Sequence, residues 1–330
     1  MSQGVAVSLQ PSSPSAGAGA AAEAARRKLA RWIARTLASD PPRATSLIVT
    51  VWGDALAPHG GDVWLAALIR LMAPFGINDR LVRTSVFRLA RDGWLAARTH
   101  GRRSRYRLTP EGAQRFADAH RRIYAPPDLA WNGEWDIVIA PPDGALAAAR
   151  AALRDALSWA GFGALAPAVY ARPVHGDAPP QAIGALPSSG VSVLRARELP
   201  IPGTDPLATR IGAAWPLDEL ATRYRTFVAR ADVALTALRA RGAAPDPEQC
   251  FVVRTLLIHA YRRALLRDPQ LPPALLPDDW PGAHAYARTR DAYRLAFVPS
   301  EAHLARVLAS AGEPPAPPNA AYQARFGGLV

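Results

Sequence analysis

The chain has 330 residues, about half of them hydrophobic, a formal net charge of +12 and a single cysteine, Cys250. That length suits two or three domains, and one cysteine excludes an intramolecular disulfide. No apolar run approaches the roughly eighteen residues of a membrane helix and no signal peptide is evident at the N-terminus, so a cytoplasmic protein without membrane contact is expected. The charge favours polyanionic partners. Lys28 is the only lysine in a chain rich in alanine, arginine and proline, a bias that a GC-rich genome produces by itself, so distribution carries more than the total. Twelve arginines against four acids lie between Ile77 and Arg122, the clustering expected of a nucleic-acid-binding surface.

Residues 1–22 are Ser, Pro, Gly and Ala with few large apolar side chains and read as disordered; the GxGxxA match at 17–22 has no preceding strand and carries no nucleotide-binding reading. Leu29, Trp32, Ile33 and Leu37 recur at helical spacing over 23–38, an added amphipathic helix stopped by Asp40-Pro41-Pro42. A buried helix follows over 44–56, with a cap near Thr45 or Ser46. The next has Asp62 as N-cap and Leu65, Leu68, Ile69 and Met72 as its stripe. The third opens on Asn78 and ends at Gly93. At 100° per residue Val82, Ser85, Val86 and Leu89 share one side, while Arg80, Arg83, Thr84, Phe87, Arg88 and Arg91 share the other. Residues 95–108 then alternate, with Leu95, Ala97, Thr99, Ser104, Tyr106 and Leu108 on one face and Arg98, Arg105 and Arg107 on the other, around the turn His100–Arg103. Thr109-Pro110-Glu111 starts a further helix.

Three helices and a basic-tipped hairpin make a winged helix-turn-helix, whose third helix enters the major groove while the wing touches phosphates or the minor groove. Arg80, Arg83, Thr84, Phe87, Arg88 and Arg91 are the expected base-reading set, although Phe87 could also turn into the core. Arg102, Arg103 and Arg105 are the expected phosphate contacts.

Beyond a proline-containing linker at 125–128, strands at 134–140, 162–173 and 190–200, a helix at 144–159 and a short helix near 179–186 suggest a ferredoxin-like α+β domain. From 202 the chain reads as helical, with a stripe from Leu217 to Leu238, a helix at 247–267, shorter helices at 283–297 and 300–311, and a disordered tail from EPPAPP onward. The stripe suits a dimer interface and an intramolecular bundle equally. The expected division is a tail and added helix (1–42), a DNA-binding domain (43–125), a ferredoxin-like domain (126–200) and a helical domain (201–330).

The run SLIVTVWGDALAPHGGDVWLAALIRLMAPFGINDRLVRTSVFRLARDGWLAARTHGRRSRYRLTPEG (46–112) closely resembles the N-terminal domain of the PaaX family of bacterial transcriptional regulators. LSWAGFGALAPAVYARP (157–173) resembles that family's centre and LLIHAYRRALLRDPQLPPALLPDDWPG (256–282) its C-terminal part, so the resemblance covers about residues 44–300. It implies a homodimeric repressor of phenylacetate-catabolism genes that binds double-stranded operator DNA and is released by phenylacetyl-coenzyme A or a related acyl-CoA. It also implies a central domain similar to the Cas2 nuclease.

For such an effector, His259, Tyr261, Arg262, Arg263 and Arg267 cluster in one helix near Trp280: arginines suit phosphates and a flat side chain could stack on adenine. The same arginines could instead answer the helix dipole or pair with Asp268, Asp278 and Asp279. Trp131 and Trp215 read as core residues, and Cys250 as buried and inert. No cofactor, metal site or catalytic constellation is expected: the seven histidines are scattered, and there is neither a GxSxG nor a phosphate-binding glycine loop. The alternative is a Cas2-like metal-dependent nuclease using Asp136. That residue sits near the start of its strand rather than the end, where pairing with an arginine is the simpler role.

Overall fold

Alanine, the strongest helix former, decides the first element. In the computed structural model, which describes residues 16–126, 130–141, 147–174, 191–199, 201–240, 245–312 and 314–329, α1 runs Ala16–Ser39. The helix therefore includes residues 16–22, expected to be disordered; residues 1–15 lie outside the described residues. Leu29 and Trp32 bury one side of α1, and the Trp32 indole donates to the Arg230 carbonyl (2.9 Å).

α2 (Ala44–Val51) continues as a π-helical turn over Trp52–Leu56. Its expected side-chain cap is absent. Arg43 holds the N-cap position without a side-chain bond, Thr45 donates to Ser85, and the Ser46 hydroxyl faces Arg262. Gly53 is required in the π turn, because a Cβ there would lie 2.7 Å from the Phe116 ring. Asp62 does not cap α3 (Leu65–Met72) either. Val63–Trp64 form a short strand, β1, and Asp62 pairs with Arg105 instead (3.4 Å). α4 (Asp79–Arg91) is capped as expected, the Asn78 side chain accepting from the Leu81 N–H (3.0 Å). It ends at Gly93, whose φ of +74° suits a residue without a Cβ. β2 (Leu95–His100) and β3 (Arg103–Leu108) pair antiparallel with Leu95 opposite Leu108 and Arg98 opposite Arg105, and β1 joins the far side of β3. Thr109 then caps α5 (Pro110–Tyr124).

β4 (Glu134–Ile139), α6 (Ala147–Trp159), β5 (Gly163–Ala166), β6 (Val169–Pro173) and β7 (Ser192–Arg197) follow. Their sheet has the order β5-β6-β4-β7 with every pairing antiparallel. This is the ferredoxin-like order; the expected helix near 179–186 lies outside the described residues.

The remainder is helical: α7 (Ile211–Ala214), α8 (Leu217–Leu238), α9 (Pro247–Leu265), α10 (Gly282–Ser310) and α11 (Ala320–Gln323). α8 lays its stripe of Leu220, Tyr224, Phe227, Ala231 and Leu235 against α1, α9 and α10, so the stripe is spent inside the chain. α10 is one helix through Pro299, where two were expected. The missing N–H removes one helical bond, and the buried Ala296, Ser300 and Leu304 hold both sides of it in the core.

The expected disordered tail is corrected as well. Tyr322, Arg325 and Phe326 are buried, because Arg325 supplies a counter-charge to Asp54. The Asp54 carboxylate is fully buried in the π turn, with Arg325 Nη1 at 3.1 Å and Arg254 Nε at 3.1 Å. The Tyr124 and Tyr293 hydroxyls donate to it at 2.6 and 3.0 Å, and the Arg325 guanidinium stacks 3.9 Å from the Tyr124 ring centre. Accordingly one hydrophobic core runs through both the N-terminal and C-terminal helices, while Trp135, Trp215 and Leu271 form a separate cluster beside the central sheet.

Three histidines in or beside that joint core are held neutral. Burial, reinforced by nearby arginines, pushes His120, His259 and His303 each down to about 4. The unfolded chain takes up these protons near pH 6.5, so the stability they contribute is complete above that pH and is lost as pH falls toward 4. His59 opposes them: burial alone would lower it, but hydrogen bonds to Glu301 and the Ala316 carbonyl raise it. The thermal midpoint is expected to fall between pH 7 and pH 5, and to fall less in a variant with all three histidines changed to glutamine. Equal midpoints at the two pH values in the wild type would contradict this.

Candidate nucleic-acid interface

The basic face forms because α4 spends its small and branched residues inward. Val82, Ser85, Val86 and Leu89 are buried, which turns Arg80, Arg83, Thr84, Phe87, Arg88 and Arg91 outward, all exposed. Phe87 is 67% exposed, so it does not turn into the core. The six side chains lie together on one helical face, and no other described segment covers them.

Their electrostatics differ. Arg83 is held bidentately by Asp79 (2.5 and 3.2 Å), which fixes the direction of its fork. Arg91 pairs with Asp92 at the helix end (3.1 Å). Arg80 and Arg88 have no ion pair among the described residues. Thr84 donates its hydroxyl back to the Arg80 carbonyl (2.9 Å).

The three expected phosphate contacts separate. Arg102 is exposed at the hairpin tip. Arg103, beside it, stacks on Trp64 (4.0 Å to the ring centre) and donates to the Ala311 carbonyl at the end of α10. Arg105 lies near the same ring and pairs with Asp62. Arg103 and Arg105 thus fasten the hairpin to the body, a role the alternation alone did not reveal, and Arg102, Arg98 and Arg107 are left outward. If Arg102 meets a phosphate, Arg102→Ala reduces the slope of log K against log salt by about 0.9 on any duplex; an unchanged slope would remove it from the interface.

The residues expected to bind an effector do not converge. His259 is buried against the Thr50 hydroxyl (2.9 Å). Tyr261 is buried beside Phe227, and Arg263 pairs with Asp40 (3.1 Å). Arg267 is exposed elsewhere on the surface, and Trp280 sits edge-on to Tyr224. Arg262, like His259, reaches α2, donating to the Ser46 hydroxyl and carbonyl (3.2 and 3.3 Å). Cys250 is buried and its thiol is pushed up to about 12 by burial. Asp136 is buried between Arg172 (3.3 Å) and Arg195 (3.0 Å), so its carboxylate answers two guanidinium groups. Among the described residues no group of three His, Cys, Asp or Glu side chains comes together as metal ligands, and no helix is long and apolar enough to cross a membrane.

Fold and surface define a class: a mixed helix-and-sheet protein with an outward basic helix, a central ferredoxin-like sheet and a helical C-terminal part. Comparison with known proteins takes the class to a family. The model of the PaaX-like protein matches residues 43–112, that of the PaaX protein central Cas2-like domain residues 128–197, and that of the PaaX-like protein C-terminal domain residues 215–306. The chain belongs to the PaaX-like family. It is 35% identical over 312 residues to the transcriptional repressor PaaX of Escherichia coli (strain K12), covering 92% of this chain and 96% of that one. That relative is a regulator rather than an enzyme. Among solved structures, the uncharacterized protein Rv0674 from Mycobacterium tuberculosis is 27% identical, with a TM-score of 0.49, over 86% of this chain and 97% of that one.

Proposed function

We propose that this chain is a sequence-specific DNA-binding repressor of an aromatic-acid catabolic operon of the phenylacetate type, acting as a homodimer and released by an aryl-CoA thioester such as phenylacetyl-CoA. The observation that carries the reading is the α4 face. An aromatic ring and several arginines stand outward together, and two of those arginines, Arg80 and Arg88, have no carboxylate partner among the described residues. A helix of thirteen residues fits the major groove, and arginine forks, a threonine methyl and a phenylalanine ring are complementary to base edges and thymine methyls. Three helices followed by a hairpin supply the winged helix-turn-helix frame for that insertion. The repressor relative supports the same reading. The resemblance, rather than the geometry, supplies the phenylacetate pathway and the thioester.

Two copies would present two α4 helices to half-sites about one helical turn apart. Gel retardation with the DNA upstream of the chain's own gene tests the proposal. Retardation at moderate salt that phenylacetyl-CoA reverses, with the DNA intact, is the expected result. Cleavage suppressed by EDTA would replace the repressor by a nuclease, and no retardation would remove DNA binding altogether.

A further inference from the structure

Behind the outward face of α4 lies a cleft of about 1130 Å³, walled by the start of α2, the flank of α4, α5 and the end of α9. It is about three times the size of the clefts beside Trp215 (about 390 Å³) and between α1 and α8 (about 330 Å³), and reaches the upper range of pockets that enclose organic ligands. Its walls are of two kinds. Val49, Leu81, Phe116 and Leu266 are apolar, whereas Arg43, Arg88 and Arg115 stand at its margin and Arg122 and Arg262 lie deeper.

The two deep guanidinium groups are short of partners. Arg122 donates to the Asp268 carbonyl and Arg262 to Ser46, yet the Nε of each is buried with no hydrogen-bond partner among the described residues. Burial pulls the pKa of both side chains below the usual arginine range. Buried donors of this kind are costly unless something accepts from them. Asp92 and Asp118 also line the cleft, but Asp92 pairs with Arg91 and Asp118 with Arg121.

We propose that this cleft binds an amphipathic organic anion, an aryl or acyl body joined to phosphate groups, with the body against Phe116, Leu266 and Val49 and the anionic end on the arginines. Part of the lining belongs to the DNA face: Leu81, Thr84 and Arg88 are residues of α4. A ligand that engages Arg88 or shifts α4 therefore changes the surface offered to a duplex. By linkage, DNA must weaken the ligand by the same factor by which the ligand weakens DNA. This consequence for DNA rests on the repressor reading; occupancy of the cleft does not.

The test measures direct binding of two amphipathic anions, phenylacetyl-CoA and anilinonaphthalene sulfonate, to the full chain without DNA. Wild type is compared with Arg262→Gln, which removes a deep cation, and Ala119→Phe, which fills the space between α5 and α2. Thermal unfolding checks that each variant is folded. The expected result is micromolar binding of at least one anion to wild type, weakened tenfold or more in both variants. Failure of both anions to bind wild type at millimolar concentration would overturn the proposal, as would binding that neither variant weakens. Gel retardation of wild type is scored separately: a chain that binds the anion in the cleft but retards no DNA keeps this site and loses the repressor reading.

Discussion

Replacing Asp54 by asparagine is expected to cost the fold about 3–5 kcal/mol, the range measured when one partner of a buried ion pair is removed. Both Arg254 and Arg325 are 1% exposed. Without the carboxylate, Arg254 keeps Glu301 as an ion-pair partner (2.9 Å), whereas Arg325 keeps none among the described residues. The asparagine amide keeps the volume, so the loss reads charge rather than packing. Whole-domain stabilities of about 5–15 kcal/mol make this a large fraction. Urea unfolding gives the comparison, with Arg263→Ala as control: its pair with Asp40 is exposed and is worth about 0–1 kcal/mol. A loss below about 1 kcal/mol for Asp54→Asn would show that the network is not what joins the N-terminal helices to the C-terminal ones.

The second large effect is on recognition. Arg83 is pre-aimed by Asp79, so its fork is already ordered before it meets DNA. If it reads a guanine edge, Arg83→Ala lowers affinity for the operator by about 1–3 kcal/mol, roughly fivefold to 150-fold, and changes binding to random duplex little. Competition titrations with both DNAs measure the ratio. Equal losses on the two would assign Arg83 to phosphate contact.

The parts of this molecule governed by short-range rules were legible in its sequence. Asn78 and Thr109 cap the helices where their types and spacing place them. The alternation over 95–108 fixes which residues face each other across the hairpin, and the 100° period separates Val82, Val86 and Leu89 from the arginines. What escaped depends on distant partners. A strand of two residues, Val63–Trp64, has no periodicity to read, and Asp62 looks like a cap until Arg105 arrives from forty residues away. The tail carries turn formers and prolines, and nothing near Arg325 in the sequence points to Asp54. The effector cluster failed for a related reason. On a helix, Tyr261 points about 160° away from Arg263 and about 100° from Arg262, so neighbours in the chain were sent to different surroundings.

The central claim, that the outer face of α4 lies in a major groove, is tested most directly at its most exposed aromatic residue. With a photo-crosslinking benzoylphenylalanine in place of Phe87, irradiation of the complex with operator DNA is predicted to yield crosslinks to bases at one or two fixed positions in each half-site, prevented by excess unlabelled operator. Binding that persists without any crosslink from position 87, while a crosslinker placed on another surface does react, would contradict the account.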